Sequence, residues 1–363
     1  SRDQAGGLLF VSCEMASRAK LRLCLIGCGR IARRHASGLR RECPDVIDVV
    51  ACVDIHLPRA EDTAKFCGVA GCRSFSSVDE ALEWGSFDAV DIMVLHHLHE
   101  EVTVKCFRAG KHVLLEKPMA PTLPACERML AAAVAAGKVF MVAEQTQYAA
   151  NVLTAQEIIR SGVVGEVFAV KATFRWDMGP QNPDIKVLEG EDNEKAWRFK
   201  KSIMGGGIVI DGGAHWLRPM RMLAPGDIES VSAVLARPYA PMDGESLAMA
   251  LVRFSSGVIG TFEAACTGAW RSAQSHPLWS VLGSKGEVVL EAGGQVRLYT
   301  EAVPEGEVVP YEGGHQSHGL VLRDFAHAVL TGETPAASAA DSLGELRAAL
   351  AMYRSQESGR WEA

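Results

Sequence analysis

Three short segments carry residue types and spacings that could do chemistry. The first is Gly27-Cys28-Gly29-Arg30-Ile31-Ala32, a G-x-G-x-x-A pattern behind an apolar run. In such a loop the first glycine permits a tight turn, and the second lets backbone approach a pyrophosphate. The small third residue lets the following helix pack closely on the strand. The helix start then offers unpaired N–H groups and a positive dipole end to phosphate oxygens. Gly27, Gly29, Arg30 and Ile31 are therefore candidate cofactor contacts. Asp54 ends the next apolar run, 22 residues beyond Ala32, where a carboxylate can accept hydrogen bonds from a ribose 2′-OH. A carboxylate would repel a 2′-phosphate, so NAD is the expected cofactor. NADP would need Arg30, Arg33 or Arg59 to swing in. The plain alternative is a structural strand–turn–helix with a solvated aspartate.

The second segment places Glu116-Lys117-Pro118 directly after the apolar run 113–115. In a doubly wound sheet, ligands bind at the carboxyl ends of the strands. Lys117 beside a nicotinamide ring would have its pKa lowered by the ring's positive charge, and could polarise a substrate hydroxyl or relay its proton. Glu116 could pair with Lys117 or orient it. An ordinary solvated ion pair is the alternative. The third segment, 205–215, is glycine-rich and ends in Asp211-x-x-x-His215. On a helix, residues four apart share a face, so both side chains are expected to point the same way. A neutral imidazole can accept an alcohol proton near physiological pH. Asp211 could hold a substrate hydroxyl or fix the imidazole, and the glycines would allow close approach to a ring or sugar. Asp211 and His215 could also ligate a metal, but no third ligand stands at a suggestive spacing, and no metal is expected. They could equally be a helix cap and a core histidine.

The surrounding chain must position these groups. Strands are predicted at 21–26, 48–53, 88–95, 113–115 and 139–143, alternating with helices at 31–41, 59–67, 100–109 and 123–136. Such alternation implies a parallel sheet covered on both faces. Beyond it, strands at 167–175, 228–236, 246–254, 258–265, 278–282, 287–290 and 295–299 are joined by short turns, implying a mostly antiparallel sheet. Helices are expected at 319–330 and 343–355. The fold class is α/β: an N-terminal Rossmann doubly wound domain over 20–144, and a C-terminal α/β domain with an open, mostly antiparallel sheet over 145–363. Residues 1–19 are expected to be a flexible extension.

Composition narrows the function. The chain has 363 residues, 48% of them hydrophobic, and a formal net charge of −7. An acidic balance disfavours nucleic acid as a partner, and no apolar run is long enough to span a membrane. Nine of the ten cysteines fall within the first 126 residues. Several of them, such as Cys24 and Cys52, sit in apolar runs, and no pair has C-x-x-C spacing, as expected of buried free thiols in a reducing, cytoplasmic protein.

Together these segments resemble the Gfo/Idh/MocA oxidoreductases, the glucose–fructose oxidoreductase and inositol dehydrogenase family. The resemblance runs along nearly the whole chain from Leu21: 27–32, Asp54, His99 with Glu101, 109–118, 162–167, Trp197-Arg198, 205–215 and 353–359. It implies a nicotinamide at the junction of the two domains, a homodimer or homotetramer formed through the second sheet, and a substrate site lined by Lys117, Asp211 and His215. Leu95, His96, His99, Glu116, Lys117 and Gln145 join the expected cofactor contacts, Arg198 of the resembling segment is an expected substrate contact, and Gln145, Trp176 and His315 are pocket candidates from loop position. The chain departs from the family where T-P-N is usual, reading Val94-Leu95-His96. It also carries Arg218 where an aspartate is common. Arg218 could bind an anionic substrate group, and a surface arginine is the favoured reading.

The expected reaction moves a hydride between the nicotinamide and a secondary alcohol or ketone of a sugar, cyclitol or related polyol. Two rivals share these residues: a lyase or glycosidase that retains its NAD through transient redox, and a non-catalytic nucleotide-responsive binding protein.

Overall fold

The structure, a computed structural model, describes residues 20–177, 197, 199–267, 277–313 and 318–363. Six parallel strands form the first sheet: β1 (Leu21–Ile26), β2 (Ile47–Val53), β3 (Arg73–Phe75), β4 (Ala89–Ile92), β5 (His112–Glu116) and β6 (Phe140–Ala143). Their order is β3-β2-β1-β4-β5-β6, so the order reverses between β1 and β4 and opens a crevice at their carboxyl ends. Helices α1 (Arg30–Glu42), α2 (Leu57–Cys67), α3 (Val78–Trp84), α4 (His99–Arg108) and α5 (Leu123–Ala136) make the crossovers. The central strands are near-continuous apolar runs because both faces are covered; Leu23, Leu25, Val90, Ile92, Leu114 and Leu115 have no exposed surface. Strand β3 and helix α3 are absent from the sequence expectation. The first has three residues and the second seven, too few to show a period.

After α6 (Ala150–Arg160) the chain enters an eight-stranded sheet. Its strands are β7 (Val167–Asp177), β8 (Ile228–Ala236), β9 (Leu247–Phe254), β10 (Ile259–Thr267), β11 (Pro277–Gly283), β12 (Gly286–Glu291), β13 (Val296–Thr300) and β14 (Val303–Val309). The order is β14-β13-β12-β11-β7-β10-β9-β8, and only the β7–β10 pair is parallel. Between β7 and β8 lie α7 (Lys201–Met204), α8 (Ile208–Asp211) and α9 (Ala214–Leu223). Strand β9 alternates exposed and buried along its length, as a strand with one solvent face must.

The chain then returns to the first sheet. Helix α10 (His318–Thr331) packs Leu322 and Phe325 into the same core as Leu23, Leu25 and Leu39. It lies so close to α1 that a Cβ on Gly38 would come 2.5 Å from the Gly319 nitrogen. The Val142 N–H donates to the Ala337 carbonyl at 3.1 Å, and α11 (Ala339–Ser358) then crosses to the second sheet, where the Ala233 N–H donates to Ser355 Oγ. A single cut at 144/145 therefore does not divide the chain in space. No helix among the described residues is long and apolar enough to cross a membrane. All nine described cysteines are unpaired, and eight of them are buried.

Candidate active site

The glycine loop divides its labour. Gly27 has φ +90°, and a Cβ there would lie 2.6 Å from the Met93 carbonyl oxygen, so both conformation and packing demand glycine. Gly29 is different: a Cβ there would meet nothing within 4 Å. It precedes α1, whose first turn carries no acidic residue and no side-chain cap. The opening in front of Gly29 and the uncapped N–H groups behind it fit an anionic pyrophosphate. Arg30 is exposed and Ile31 half-buried at the same helix start. Asp54 is tied into the loop, accepting from the Cys28 N–H at 2.8 Å and the His56 N–H at 2.9 Å. A carboxylate has about four lone-pair positions, so two remain for a ribose diol.

The E-K-P segment emerges from β5 into the same crevice. Glu116 is buried, and its Oε2 accepts the Lys117 backbone N–H at 3.1 Å. Its other oxygen accepts from His35 Nε2 at 3.0 Å, while His35 Nδ1 donates to Asp91 at 2.7 Å. His35 sits on the face of α1 that carries Ala32 and Ala36, fully buried over the sheet. Burial alone would lower its pKa, but the Asp91 and Glu116 carboxylates raise it to about 10. Burial would raise Glu116, yet His35 and Lys117 hold it down at about 2. So Glu116 orients the Lys117 backbone and gives its charge to His35. The ring of His318, from α10, lies 5.0 Å from that of His35, and burial lowers its pKa to about 3. Donor atoms of His35, Glu116 and His318 lie within 4.8 Å of one another, but both His35 nitrogens already serve carboxylates, and a proton satisfies the cluster.

Lys117 reaches out of the first sheet and meets the second half of the chain. Its Nζ donates to the Asp211 carbonyl at 2.8 Å and stands 3.5 Å from Asp211 Oδ1. The expectation of one helix carrying Asp211 and His215 is corrected here. Asp211 closes α8, His215 is the second residue of α9, and Gly212-Gly213 separates the two helices. The glycines also have a different purpose. A Cβ on Gly207 would collide with the Glu245 backbone, and one on Gly213 with the Val209 carbonyl. They allow close backbone packing, which the sequence reading assigned to a ligand. Glu245 then anchors α8, its Oε1 accepting the Gly207 and Val209 N–H groups and the Tyr353 hydroxyl.

His215 completes the group. Its Nδ1 donates to Glu144, 2.8 and 2.9 Å from the two carboxylate oxygens. Glu144 directly follows β6, is 1% exposed, and also accepts the Thr146 N–H and hydroxyl on Oε1. Burial opposes its ionisation, but His215 and Thr146 hold its pKa at about 2. Lys117 and Glu144 line one small cavity, and each pairs with a residue of the second half of the chain, Asp211 and His215. Glu144 was missed by the sequence reading, although the rule that singled out Lys117, a charge at the carboxyl end of a parallel strand, applies to it equally.

Other expected contacts are arranged less directly. His99 is fully buried, with Nδ1 2.9 Å from the Pro118 carbonyl and Nε2 3.1 Å from that of Val94. This leaves it no ring atom for a cofactor; it ties the turn after β4 to the E-K-P segment. His96 donates from Nδ1 to the Met204 carbonyl at 3.3 Å and stands edge-on to Trp197 at 4.9 Å. Burial first, then His99, lowers its pKa to about 3. Leu95 is half-buried beside it, and Gln145 is buried in the turn after Glu144. Trp176 is half-buried and stacks near Phe174. Arg198 and His315 lie outside the described residues. Arg218 is neither a surface arginine nor a substrate anchor: 2% exposed on α9, it pairs with Asp341 and Glu345 and donates to Ser342 on α11.

A dinucleotide cradle at a topological switch point, on a sheet edge whose Lys117 and Glu144 hold Asp211 and His215 of the second half of the chain, is the architecture of a two-domain nicotinamide-dependent oxidoreductase. Residues 21–144 match the model of an oxidoreductase family with an NAD-binding Rossmann fold, and residues 152–289 match the GFO/IDH/MocA C-terminal domain. The chain belongs to the GFO/IDH/MocA family, and its first sheet is an NAD-binding domain. Levoglucosan dehydrogenase of Pseudarthrobacter phenanthrenivorans is 27% identical over 248 residues, 60% of this chain and 60% of that protein. Myo-inositol 2-dehydrogenase of Thermotoga maritima is 26% identical, covering 94% and 97% of the two chains. The solved structure of a levoglucosan dehydrogenase in complex with NADH and levoglucosan shares the fold, with TM-score 0.80 and 23% identity over 94% of this chain and 99% of that one.

Proposed function

We propose that this oxidoreductase removes hydride and proton from a secondary alcohol of a sugar, cyclitol or related polyol. The observation that supports the reading is that the carboxyl edge of the NAD-binding sheet holds two groups of the second half of the chain, Asp211 through Lys117 after β5 and His215 through Glu144 after β6. The relatives named for levoglucosan and myo-inositol support the substrate class. The dinucleotide, when bound along Gly27–Gly29 and Asp54, supplies the hydride acceptor. The chain's own groups do the rest. His215 takes the hydroxyl proton, Lys117 stabilises the alkoxide as the proton leaves, and Asp211 holds Lys117 and a neighbouring substrate hydroxyl. The Asp54 carboxylate favours NAD over NADP, since a 2′-phosphate beside it would be repelled.

Screening polyols, sugar acids and phosphorylated sugars for a rise in NADH absorbance tests this reading. With the substrate found, His215→Ala is expected to lower kcat about 10²–10⁴-fold while leaving NADH affinity unchanged. An unaltered kcat would remove His215 from the chemistry. Product formation without net NADH would instead identify the redox-neutral lyase or glycosidase. We further propose a cytoplasmic homodimer or homotetramer, supported by the unpaired thiols and by the apolar outer face of the second sheet.

A further inference from the structure

We propose that Glu144 is the positioning residue of this site: it takes the Nδ1 proton of His215 and so leaves Nε2 as the nitrogen that meets substrate. This rests on His215 being the base and says how the chain makes it one. A neutral imidazole carries its proton on one nitrogen and its lone pair on the other. An ionised carboxylate only accepts, so a ring facing Glu144 through Nδ1 must hold its proton there. Both Glu144 oxygens are within 2.9 Å of Nδ1.

The carboxylate is itself held. It caps the turn Gln145–Tyr148, and Thr146 gives it a backbone N–H at 3.0 Å and a hydroxyl at 2.6 Å. At 1% exposure it is shielded from bulk solvent. The imidazole needs such a partner, because it stands at the first turn of α9, just past the Gly212-Gly213 break, with its side chain 18% exposed. Proton uptake at Nε2 then gives an imidazolium whose charge faces a fixed carboxylate, as in other histidines oriented by a buried acid. The pairing also crosses the molecule: Glu144 comes from the end of the first sheet and His215 from the second half, just as Lys117 meets Asp211. Each group expected to touch substrate is thus set by a residue of the opposite half.

The test uses full-length protein labelled with 15N-histidine. Long-range proton–nitrogen correlations read the His215 ring, assigned by its loss in His215→Asn, in buffer alkaline enough for the ring to be neutral. The wild type is expected to carry its proton on Nδ1, and Glu144→Gln to gain the Nε2-protonated form. With an active substrate, Glu144→Gln should lose about 10²–10⁴-fold in kcat with KM and NADH affinity little changed, and Glu144→Asp should recover part of the loss. Thr146→Val, which keeps the carboxylate and removes one of its anchors, should fall between and covers the case in which Glu144→Gln does not fold. A wild-type ring protonated on Nε2, or wild-type tautomer and kcat in Glu144→Gln, overturns the proposal. If the tautomer changes as expected while no polyol is oxidised, the positioning role stands and the reading of His215 as base fails.

Discussion

His35 stands one layer beneath the residues that would touch substrate, and it decides how their neighbourhood responds to pH. It is an imidazole clasped between two buried carboxylates, Asp91 and Glu116. Its pKa rises from 6.5 to about 10 on folding, so its contribution to stability is complete below 6.5 and is lost as pH climbs toward 10. Glu116 and Glu144 move the other way, from 4.5 to about 2, so theirs is complete above 4.5 and is lost as pH falls toward 2. Thermal melts across pH should peak near 6.5: above it the His35 contribution fades, and below it stability falls because His96 and His318, lowered from 6.5 to about 3, bind protons more readily in the unfolded chain, with Glu116 and Glu144 adding to the loss below 4.5. His35→Gln should lower Tm at the maximum, because it strands buried carboxylates, and should flatten the alkaline decline. An alkaline limb of unchanged slope in that variant would show that His35 does not carry it. Signals for His35 and Glu144 were present in the sequence. One shares a helix face with Ala32 and Ala36, and the other follows a strand. Their partners, Asp91 and His215, are 56 and 71 residues away, and no local pattern links them.

At the scale of elements, the glycine loop offers a clean separation of fold from binding. Gly27→Ala forces a side chain onto φ +90° and into the Met93 carbonyl, and should lower Tm by several degrees. Gly29→Ala meets open space and should melt like the wild type, yet it places a methyl where the pyrophosphate would lie, so NADH titration should show weakened binding. Equal NADH affinity in Gly29→Ala would move the phosphates elsewhere. The same scale explains the misread D-x-x-x-H segment. Four-residue spacing suggests one helix, but the backbone of Glu245 presses on Gly207 and Gly213 packs against Val209. Close packing there favours two short helices over one. Arg218 was misjudged for a related reason. Its position after His215 is visible in sequence, whereas the Asp341 and Glu345 carboxylates that draw it inward arrive on α11, more than 120 residues later.

For the whole molecule, the second sheet presents a face on which several large apolar side chains of the described residues are exposed. Val234 is 67% exposed, Met249 54%, Leu251 49% and Ile259 56%, and the strand register sets Val234 beside Met249 on neighbouring strands. An apolar surface of this kind commonly marks an interface. Light scattering behind size exclusion should report a dimer or tetramer, and Leu251→Glu should shift it toward a single chain of 39.0 kDa without altering the helix content. A wild type that runs as one chain would assign this face to something else.

The alternation of longer strands and helices, the glycine loop with its acid, and the candidacy of Lys117, Asp211 and His215 were legible in the sequence alone, because each depends on residues close together in the chain. Tertiary structure decided which of them meet. The pairs Lys117–Asp211, Glu144–His215 and His35–Glu116 join segments 71 to 94 residues apart, and only the packing of two sheets and the returning helices brings those charges within hydrogen-bond range.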